Sequence, residues 1–258
     1  MKTSNHLLRR LTAALLAAVL ALSIALPVFA SDDGDTIYIN SVSDLLSLAR
    51  SCAYDQWSVG KTVILQKDLS LEGMLWEPIP SFSGQFKGNG HTISDLTITG
   101  QYSPAGLFGI VEEQGSIESL SVRGVVSVSD SADTTTGGIA GINHGTLISC
   151  QFTGVVTGDS EVGGIVGRNE SEGTIDHSTA RAIVTGKSST GGIAGYTLGA
   201  ITGCTNVGSI NTEYPEASLD TDGFTAKMVD YINNKMAAAD DDATNSVTNV
   251  ATDTGGIA

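Results

Sequence analysis

The residues of this chain best suited to chemistry are its histidines, and their surroundings match no catalytic or metal-binding motif. The four histidines, His6, His91, His144 and His177, are followed by Leu, Thr, Gly and Ser, so none begins the His-Glu-x-x-His pattern of zinc proteases. The sequence also lacks a Gly-x-Ser-x-Gly elbow and a phosphate-binding glycine loop. We interpret His91 as a turn residue rather than a base. We therefore predict no catalytic residue, no metal ligand and no cofactor.

One acidic segment resembles part of a calcium loop. It reads Asp220-Thr-Asp222-Gly223, but Ser218 and Val229 stand where the first and last carboxylates of such a loop belong. A helix cap is the interpretation that we favour for this segment.

Cysteines and aromatic residues are sparse. Cys52, Cys150 and Cys204 are too few and too far apart for a disulfide scaffold, and no zinc-type spacing occurs. Backbone pairing and packing must therefore hold the chain together. Three aromatic residues could form a sugar-binding platform, although closure of the core is the alternative that we favour. They are Trp76, Tyr102 and Tyr196.

Residues 1–30 have the pattern of a secretory signal peptide. Positive charges precede an apolar run from Leu11 to Leu26, and Val28-Phe29-Ala30 forms a cleavage site. The run is short for a membrane anchor, which is the alternative. We expect a secreted protein or one attached to the cell surface.

Charge limits the partners. Removing the first thirty residues takes away three positive charges and changes the formal net charge from −15 to −18. Such a surface repels nucleic acid and anionic lipid, so we predict neither nucleic acid nor membrane as a partner after cleavage.

A repeat of about 28 residues dominates the middle of the chain. Four segments align with spacings of 32, 26 and 28 residues: Gly106-Leu-Phe-Gly109, Gly138-Ile-Ala-Gly141, Gly164-Ile-Val-Gly167 and Gly192-Ile-Ala-Gly195. Apolar anchors follow at Ile117, Leu147, Ile175 and Ile201. Three further positions keep register with these anchors, at three, seven and nine residues beyond each. The first holds Leu120, Cys150, Ser178 and Cys204, the second holds Gly124, Gly154, Ala182 and Gly208, and the third holds Val126, Val156, Val184 and Ile210.

This periodicity predicts an all-β fold, a right-handed parallel β-helix in which one repeat makes one coil. Each repeat has three short strand-like stretches, for example Gly138 to Ile142, Thr146 to Phe152 and Val155 to Thr157. Equivalent strands then pair between coils, and Ile139, Ile165 and Ile193 stack as one interior column. The step from Ile117 to Leu120 reverses strand parity, so a bend is expected there.

The register also shows whether acidic side chains fall at equivalent positions of successive repeats, as a catalytic cluster of carboxylates would require. The equivalent positions hold Glu118, Ile148, Asp176 and Thr202, so acids do not gather in one column. Cys150 and Cys204 share a column but lie two coils apart, about 9.6 Å, which is beyond disulfide reach.

Helices flank the repeats. We expect a strand from Ile37 to Asn40, followed by a helix that has Ser43 as its N-cap, runs through Cys52 and closes this end of the stack. Its buried stripe consists of Leu45, Leu46, Leu48 and Ala49. We interpret Thr62 to Leu71 and Gln85 to Thr99 as strands of one irregular coil. Apolar residues at four-residue spacing predict a second helix after Asp222: Phe224, Met228, Ile232 and Met236. The predicted parts are 1–30, the signal peptide; 31–102, the cap and first irregular coil; 103–212, the repeats; 213–245, a helical insertion; and 246–258, the start of a further, truncated repeat.

The Gly-Leu-Phe-Gly and Gly-Gly-Ile-Ala-Gly segments, with the lead-in Gly88-Asn-Gly-His-Thr-Ile93, resemble the GLUG-motif repeat family over about residues 37–212. The resemblance implies a non-catalytic β-helix segment of a secreted or surface bacterial protein, acting as an adhesin, stalk or scaffold. Host or cell-surface glycans or proteins would be its partners, and further modules would belong to the same polypeptide. Two alternatives stay open: a carbohydrate-active β-helix, and the non-catalytic arm of a surface metalloprotease.

Overall fold

The computed structural model describes residues 35–54, 56–128 and 134–211. All elements below belong to the compact unit that begins at Thr36. The predicted signal peptide, the helical insertion at 213–245 and the segment 246–258 lie outside the described residues. No helix in the described ranges is long and apolar enough to span a bilayer.

The described strands form four parallel sheets around one core. Sheet I contains β1 (Thr36–Ile39), β2 (Thr62–Leu65), β5 (Gln85–Lys87), β8 (Ser116–Glu118), β12 (Thr146–Ile148), β16 (Thr174–Asp176) and β20 (Ala200–Thr202). Sheet II contains β3 (Leu69–Ser70), β6 (Thr92–Gly100), β9 (Ser121–Val128), β13 (Gln151–Thr157), β17 (Thr179–Thr185), β21 (Thr205–Asn206) and β22 (Ser209–Ile210). Sheet III contains β4 (Ile79–Phe82), β7 (Phe108–Val111), β11 (Ala140–Asn143), β15 (Val166–Asn169) and β19 (Ala194–Thr197), and the short sheet IV contains β10 (Thr136–Gly137), β14 (Val162–Gly163) and β18 (Thr190–Gly191).

The chain visits these sheets in turn and climbs one strand position with each circuit. Residue Gln151 pairs with Ser121 on one side and with Thr179 on the other, so each strand is joined to its equivalents one repeat earlier and one repeat later. The result is a parallel β-solenoid of about six turns, which confirms the predicted fold class. The right hand of the winding stays a prediction.

The predicted columns are present inside the solenoid. The Ile139 amide donates to the Ile165 carbonyl and the Ile165 amide to the Ile193 carbonyl, both at 2.9 Å, and all three side chains are buried. The apolar anchors pair with one another in sheet I, in the order Ile117, Leu147, Ile175 and Ile201. The column nine residues beyond them pairs in sheet II, in the order Val126, Val156, Val184 and Ile210. The core is continuous along the stack because successive coils bury the same positions, with Ile201 and Ile210 of the last described coil half-buried.

The strand bounds differ from the predicted ones at one recurring point. The stretch predicted from Thr146 to Phe152 is broken after Ile148, and Phe152 belongs to β13. Ser149 has a φ of 53°, and the equivalent Ser119 and His177 have 51° and 46°. These residues in the left-handed region make the corner between sheets I and II, so the expected bend is confirmed.

The lead-in forms two coils rather than one. β2 and β5 pair with each other in parallel, Thr62 with Gln85, so they occupy successive coils of sheet I. The expectation of one irregular coil was wrong because the bend after each sheet I strand was not placed there. A tight turn follows β5 at Gly88 to Gly90, where Asn89 and Gly90 have positive φ.

The helix α1 (Val42–Ser51) packs at the amino end of the stack against β1 and β4. Its N-cap is Ser41, whose Oγ accepts from the Asp44 amide at 3.2 Å, and not the predicted Ser43. Leu45 and Leu48 are buried in the core, while Leu46 and Ala49 pack partly against it. The helix therefore covers the edge strand of sheet III at this end.

The core contains a cluster of three phenylalanines in its first coils. Phe82, Phe86 and Phe108 pack together with ring centroids 5.3–6.3 Å apart next to α1. In later coils smaller residues take equivalent positions, since Phe108 pairs with Ala140 and Phe152 with Ala180. Three bulky core side chains thus lie beside the amino-terminal cap, while Phe152 is buried in a later coil, where it follows Val122 in the column.

Candidate functional site

The structure holds His91 in a turn by an acidic partner. Its Nδ1 lies 3.1 Å from Asp68 Oδ1, which also accepts the Thr92 amide at 2.9 Å. The Thr92 amide, with the His91 ring second, lowers the pKa of Asp68. The nearby hydroxyls of Ser70 and Ser94 donate to Asp95 instead, at 2.6 and 2.8 Å. The Asp68 carboxylate therefore links two consecutive coils through the His91 ring and the Thr92 amide.

The cysteines are buried free thiols. Cys150 and Cys204 are separated by Ser178, whose Oγ accepts the Cys150 amide at 3.1 Å and whose own amide lies 3.4 Å from Cys204 Sγ. Burial raises the pKa of Cys150 to about 12 and that of Cys52 to about 11, and it also raises the pKa of Cys204. Since the thiolate is the reactive form, these side chains serve as small core residues.

Carboxylates on the outer side of sheet I do not meet. Glu118 pairs in register with Ile148, which pairs with Asp176, so an isoleucine separates the two acids. Asp176 Oδ1 lies 2.8 Å from the ring of the adjacent His177. Within the described ranges, no three His, Cys, Asp or Glu side chains are grouped closely enough to hold a metal ion.

The three aromatic candidates lie in different environments. Trp76 is buried, and its Nε1 donates to the Leu107 carbonyl at 3.2 Å. Tyr102 is half-buried against the core, and Tyr196 stacks under the guanidinium of Arg168, 4.9 Å from the ring centroid. Trp76 cannot present its face to a sugar, so these residues do not form the platform that the sequence allowed.

A polar cleft open to solvent lies beside β4. It has a volume of about 450 Å³. Its lining consists of Gln56, Val59, Ser81, Ser83, Glu112, Glu113 and Gln114. Ser81 Oγ donates to Glu112 Oε1 at 2.7 Å, which holds one carboxylate oxygen in place. Sequence reasoning missed this cleft because its sides come from three separate segments of the chain.

A buried asparagine ladder at the end of sheet III was also missed. Asn143 Nδ2 donates to Asn169 Oδ1 at 2.7 Å, and Asn169 Nδ2 donates to Thr197 Oγ1 at 3.1 Å and to the Gly173 carbonyl at 3.2 Å. Both asparagines are fully buried. The repeat register, in which Asn143 pairs with Asn169 and Asn169 with Thr197, would have revealed this column.

The third cluster is centred on Arg168, on the outer side of sheet III. Its Nη2 lies 3.2 Å from Glu161 and its Nε lies 3.6 Å from Glu170, while Tyr196 covers the guanidinium plane. The stacking on Tyr196 links this coil to the next one, whereas Glu161 and Glu170 belong to the same coil as the arginine.

The comparisons with known proteins agree with this geometry of repeated coils. Residues 158–185, one whole coil, match the GLUG motif. This chain carries the GLUG motif. The resemblance drawn from the sequence is thereby confirmed, and the GLUG coil that matches runs from the turn at Gly158 through the end of β17.

Two relatives are similar in sequence to part of this chain. Halomucin of Haloquadratum walsbyi is 32% identical over 155 residues, which are 55% of this chain and 2% of halomucin. A protein of Evansella cellulosilytica, assigned as a Gly-rich membrane protein, is 29% identical over 137 residues, which are 38% of this chain and 16% of that protein. The chain thus spans a small fraction of the length of either relative.

A solved structure assigned as an immunoglobulin A1 protease of Bacteroides ovatus is also similar. It shares 15% sequence identity with this chain, with a TM-score of 0.38, over 71% of this chain and 79% of that one.

Proposed function

We propose that this chain is a non-catalytic GLUG solenoid segment of a secreted or surface protein, where it acts as a stalk or scaffold. One observation supports the proposal. The repeat register makes the core continuous, but it does not bring the acidic side chains, the thiols and the histidines together in one place. Glu118 and Asp176 are kept apart by Ile148, the thiols are buried, and the His91–Asp68 pair contacts no nucleophile. Six coils at about 4.8 Å each give roughly 29 Å of spacing between whatever is attached at either end.

The location outside the cell is supported by three features. The first thirty residues have the signal-peptide pattern, the chain is strongly acidic, and one of the relatives is named halomucin while the other is assigned as a membrane protein. We infer export followed by residence at the cell surface or in the medium, as part of a longer polypeptide with further modules.

The absence of catalysis is tested directly on the purified chain from Ser31 to Ala258. Incubation with pectate, alginate, hyaluronan and peptidoglycan, with and without calcium, is expected to release no reducing ends and no unsaturated products. Cleavage that disappears in a variant of a single carboxylate, such as Glu112→Gln, would overturn the scaffold proposal and favour the carbohydrate-active alternative.

The cleft beside β4 supports an adhesin role as a second candidate function. Its amides, hydroxyls and carboxylates are the groups that bind sugar hydroxyls, and none of its lining residues is basic. We infer that cell-surface glycans or glycosylated proteins bind there. Binding of immobilised neutral oligosaccharides should fall at least tenfold in Gln114→Ala and Ser81→Ala. The control is Glu72→Gln, because Glu72 is not among the residues that line the cleft. Equal binding by all three variants would refute the cleft as the site.

A further inference from the structure

The polar cleft beside β4 is the beginning of a longer surface. Ser81 lines the cleft and pairs with Ile110 of the next coil. The same register continues through the later described strands of sheet III, and every side chain in it is half-buried on the outer side of the sheet. These residues form column A: Ser81, Ile110, Ile142, Arg168 and Tyr196.

A second column runs beside the first. The residue after each of these strands continues the pairing, since the Glu112 amide donates to the Phe82 carbonyl at 2.9 Å. The equivalent residues of the next three coils make the same backbone bond at 2.8 Å, and all of them keep exposed surface. These residues form column B: Glu112, His144, Glu170 and Leu198. Because Glu112 lines the cleft, columns A and B both begin there.

The segments that lead into sheet IV bound column A on one side. Gly167 has no room for a side chain, because a Cβ there would meet the Thr136 amide nitrogen. A Cβ at Gly195 would meet the backbone of Glu161 in the same way. Glu161 also reaches Arg168 of column A, at 3.2 Å. The polypeptide therefore lies against the outer side of sheet III here and forms a wall beside the column.

The turns after sheet III bound column B, and they alternate in length. Residues 112–115 join β7 to β8 and residues 170–173 join β15 to β16, whereas only residues 144–145 join β11 to β12. The longer turns carry exposed polar side chains: Glu113, Gln114, Ser171 and Glu172. The Ser171 hydroxyl lowers the pKa of Glu172 most, and His144 lowers it further. His144 therefore lies in a gap between two polar turns.

The chemistry of the two columns suits a sugar chain that lies along the axis. Ile110 and Ile142 offer apolar surface to the C–H faces of pyranose rings, and Tyr196 offers an aromatic ring. The carboxylates and the imidazole of column B lie beside them and can bind hydroxyl groups. Arg168 leaves no unbalanced charge in this path, since two glutamates lie 3.2 and 3.6 Å from its guanidinium.

The spacing of the coils matches such a chain as well. Column A advances by one coil rise, about 4.8 Å, at each pairing and by roughly 19 Å from Ser81 to Tyr196. A pyranose unit in a 1,4-linked chain advances by a similar distance, so each coil meets one sugar unit. A ligand that follows the axis thus finds a contact at every coil.

Building on the glycan-binding cleft proposed above, on which this inference rests, we propose that its ligand is an extended neutral oligosaccharide. One end of the oligosaccharide lies in the cleft at Ser81 and Glu112, and the chain continues along columns A and B to Tyr196. A ligand of two units fills the cleft alone. A longer ligand also gains the contacts of the later coils and therefore binds more tightly.

Chain length tests this assignment in the full chain. Calorimetric titration uses disaccharides and hexasaccharides of neutral gluco-, manno- and N-acetylgluco-series. In the series that binds, the hexasaccharide should bind at least tenfold more tightly than the disaccharide. Tyr196→Ala should remove this advantage and leave the disaccharide affinity unchanged. Ile142→Lys, which puts a charged side chain across the middle of column A, should do the same.

Two further variants separate column A from other causes. Tyr38→Ala removes a tyrosine of similar exposure from β1 of sheet I, and it should change neither affinity. Ser81→Ala, within the cleft, should instead lower the affinities for both ligands. Disaccharide binding that persists in Tyr196→Ala and Ile142→Lys shows that these variants are folded.

Equal affinities for the two lengths in the unsubstituted chain would overturn the proposal and leave the cleft as the whole site. So would an unchanged hexasaccharide affinity in Tyr196→Ala and Ile142→Lys. A dimer of the unsubstituted chain that Ile142→Lys dissociates would assign columns A and B to a second copy and also overturn it. If the unsubstituted chain binds neither length, the cleft is refuted as a glycan site, and this inference fails with it.

Discussion

At the scale of single residues, the asparagine ladder shows how polar side chains can be buried in a thin core. The ladder occupies a column that begins with Phe82 and Val111 in the first coils and continues as Asn143, Asn169 and Thr197. The side-chain amides satisfy the carbonyls of turn glycines at 3.2 Å while bonding to each other. Because these groups are shielded from water, each unmade bond is expensive.

Removing the middle of the ladder tests this account. Asn169→Ala deletes three hydrogen bonds of a fully buried side chain and should lower the free energy of unfolding by about 2–4 kcal/mol. Asn211→Ala is the control, since that exposed asparagine accepts one bond, from the Gly186 amide. Urea denaturation of both variants measures the difference. Equal losses would show that the ladder adds nothing beyond a surface contact.

The lowered pKa of Asp68 makes the turn at His91 sensitive to acid. An unfolded aspartate has a pKa of about 3.9, so a lower folded value stabilises the native turn above that pH. This contribution is lost as the pH falls through the folded pKa. The Thr92 amide is the first cause of the shift, so carboxyl NMR titration of His91→Ala should still find the Asp68 pKa below its ordinary value. A return to about 3.9 would assign the shift to the imidazole instead.

At the scale of elements, the side chains on one face of each strand pack in the core, and those on the other face lie on the outside of the solenoid. Ile165 is fully buried in its column just before β15, whereas Ile142 lies on the outer side of β11 and is half-buried. The two isoleucines belong to neighbouring coils of the same sheet region. Substituting each of them in turn therefore separates two contributions to the free energy of unfolding, that of packing in the interior column and that of β propensity.

Ile165→Ala should lower the free energy of unfolding by about 2–5 kcal/mol, because it opens a cavity between Ile139 and Ile193. Ile142→Ala should cost less than about 1 kcal/mol. Hydrogen exchange should show the effect of Ile165→Ala spreading to the coils on both sides, since each coil supports the next. Damage confined to the substituted coil would contradict the continuous-core account.

Most of the elements, but little of the candidate site, follow from the sequence. A period of about 28 residues fixes which positions stack, so the columns of Ile165 and Val156 could be predicted from spacing alone. The corner at Ser149 was placed imprecisely, because a serine with positive φ carries no strong local signal. The cleft around Ser81 and Glu112 depends on how distant loops meet, and periodicity says nothing about loops that differ from coil to coil.

At the scale of the whole molecule, the described unit is asymmetric along its axis. A helix and three packed phenylalanines occupy the amino end, and smaller side chains and the asparagine ladder occupy the later coils. The candidate functions agree with this organisation, since the core maintains spacing while the loops, which vary, supply the cleft.

The direction of the hydrogen bonds has a mechanical consequence. In all four sheets the backbone bonds run from one coil to the next, along the axis, and so do the side-chain bonds of the asparagine ladder. A tensile load along the axis is therefore shared at each junction by the bonds of several strands and must break them together before one coil separates from its neighbour. If flow or traction pulls on an attached module, every contact between neighbouring coils bears the same load. The weakest of these contacts, rather than the average one, therefore sets the force at which two coils separate.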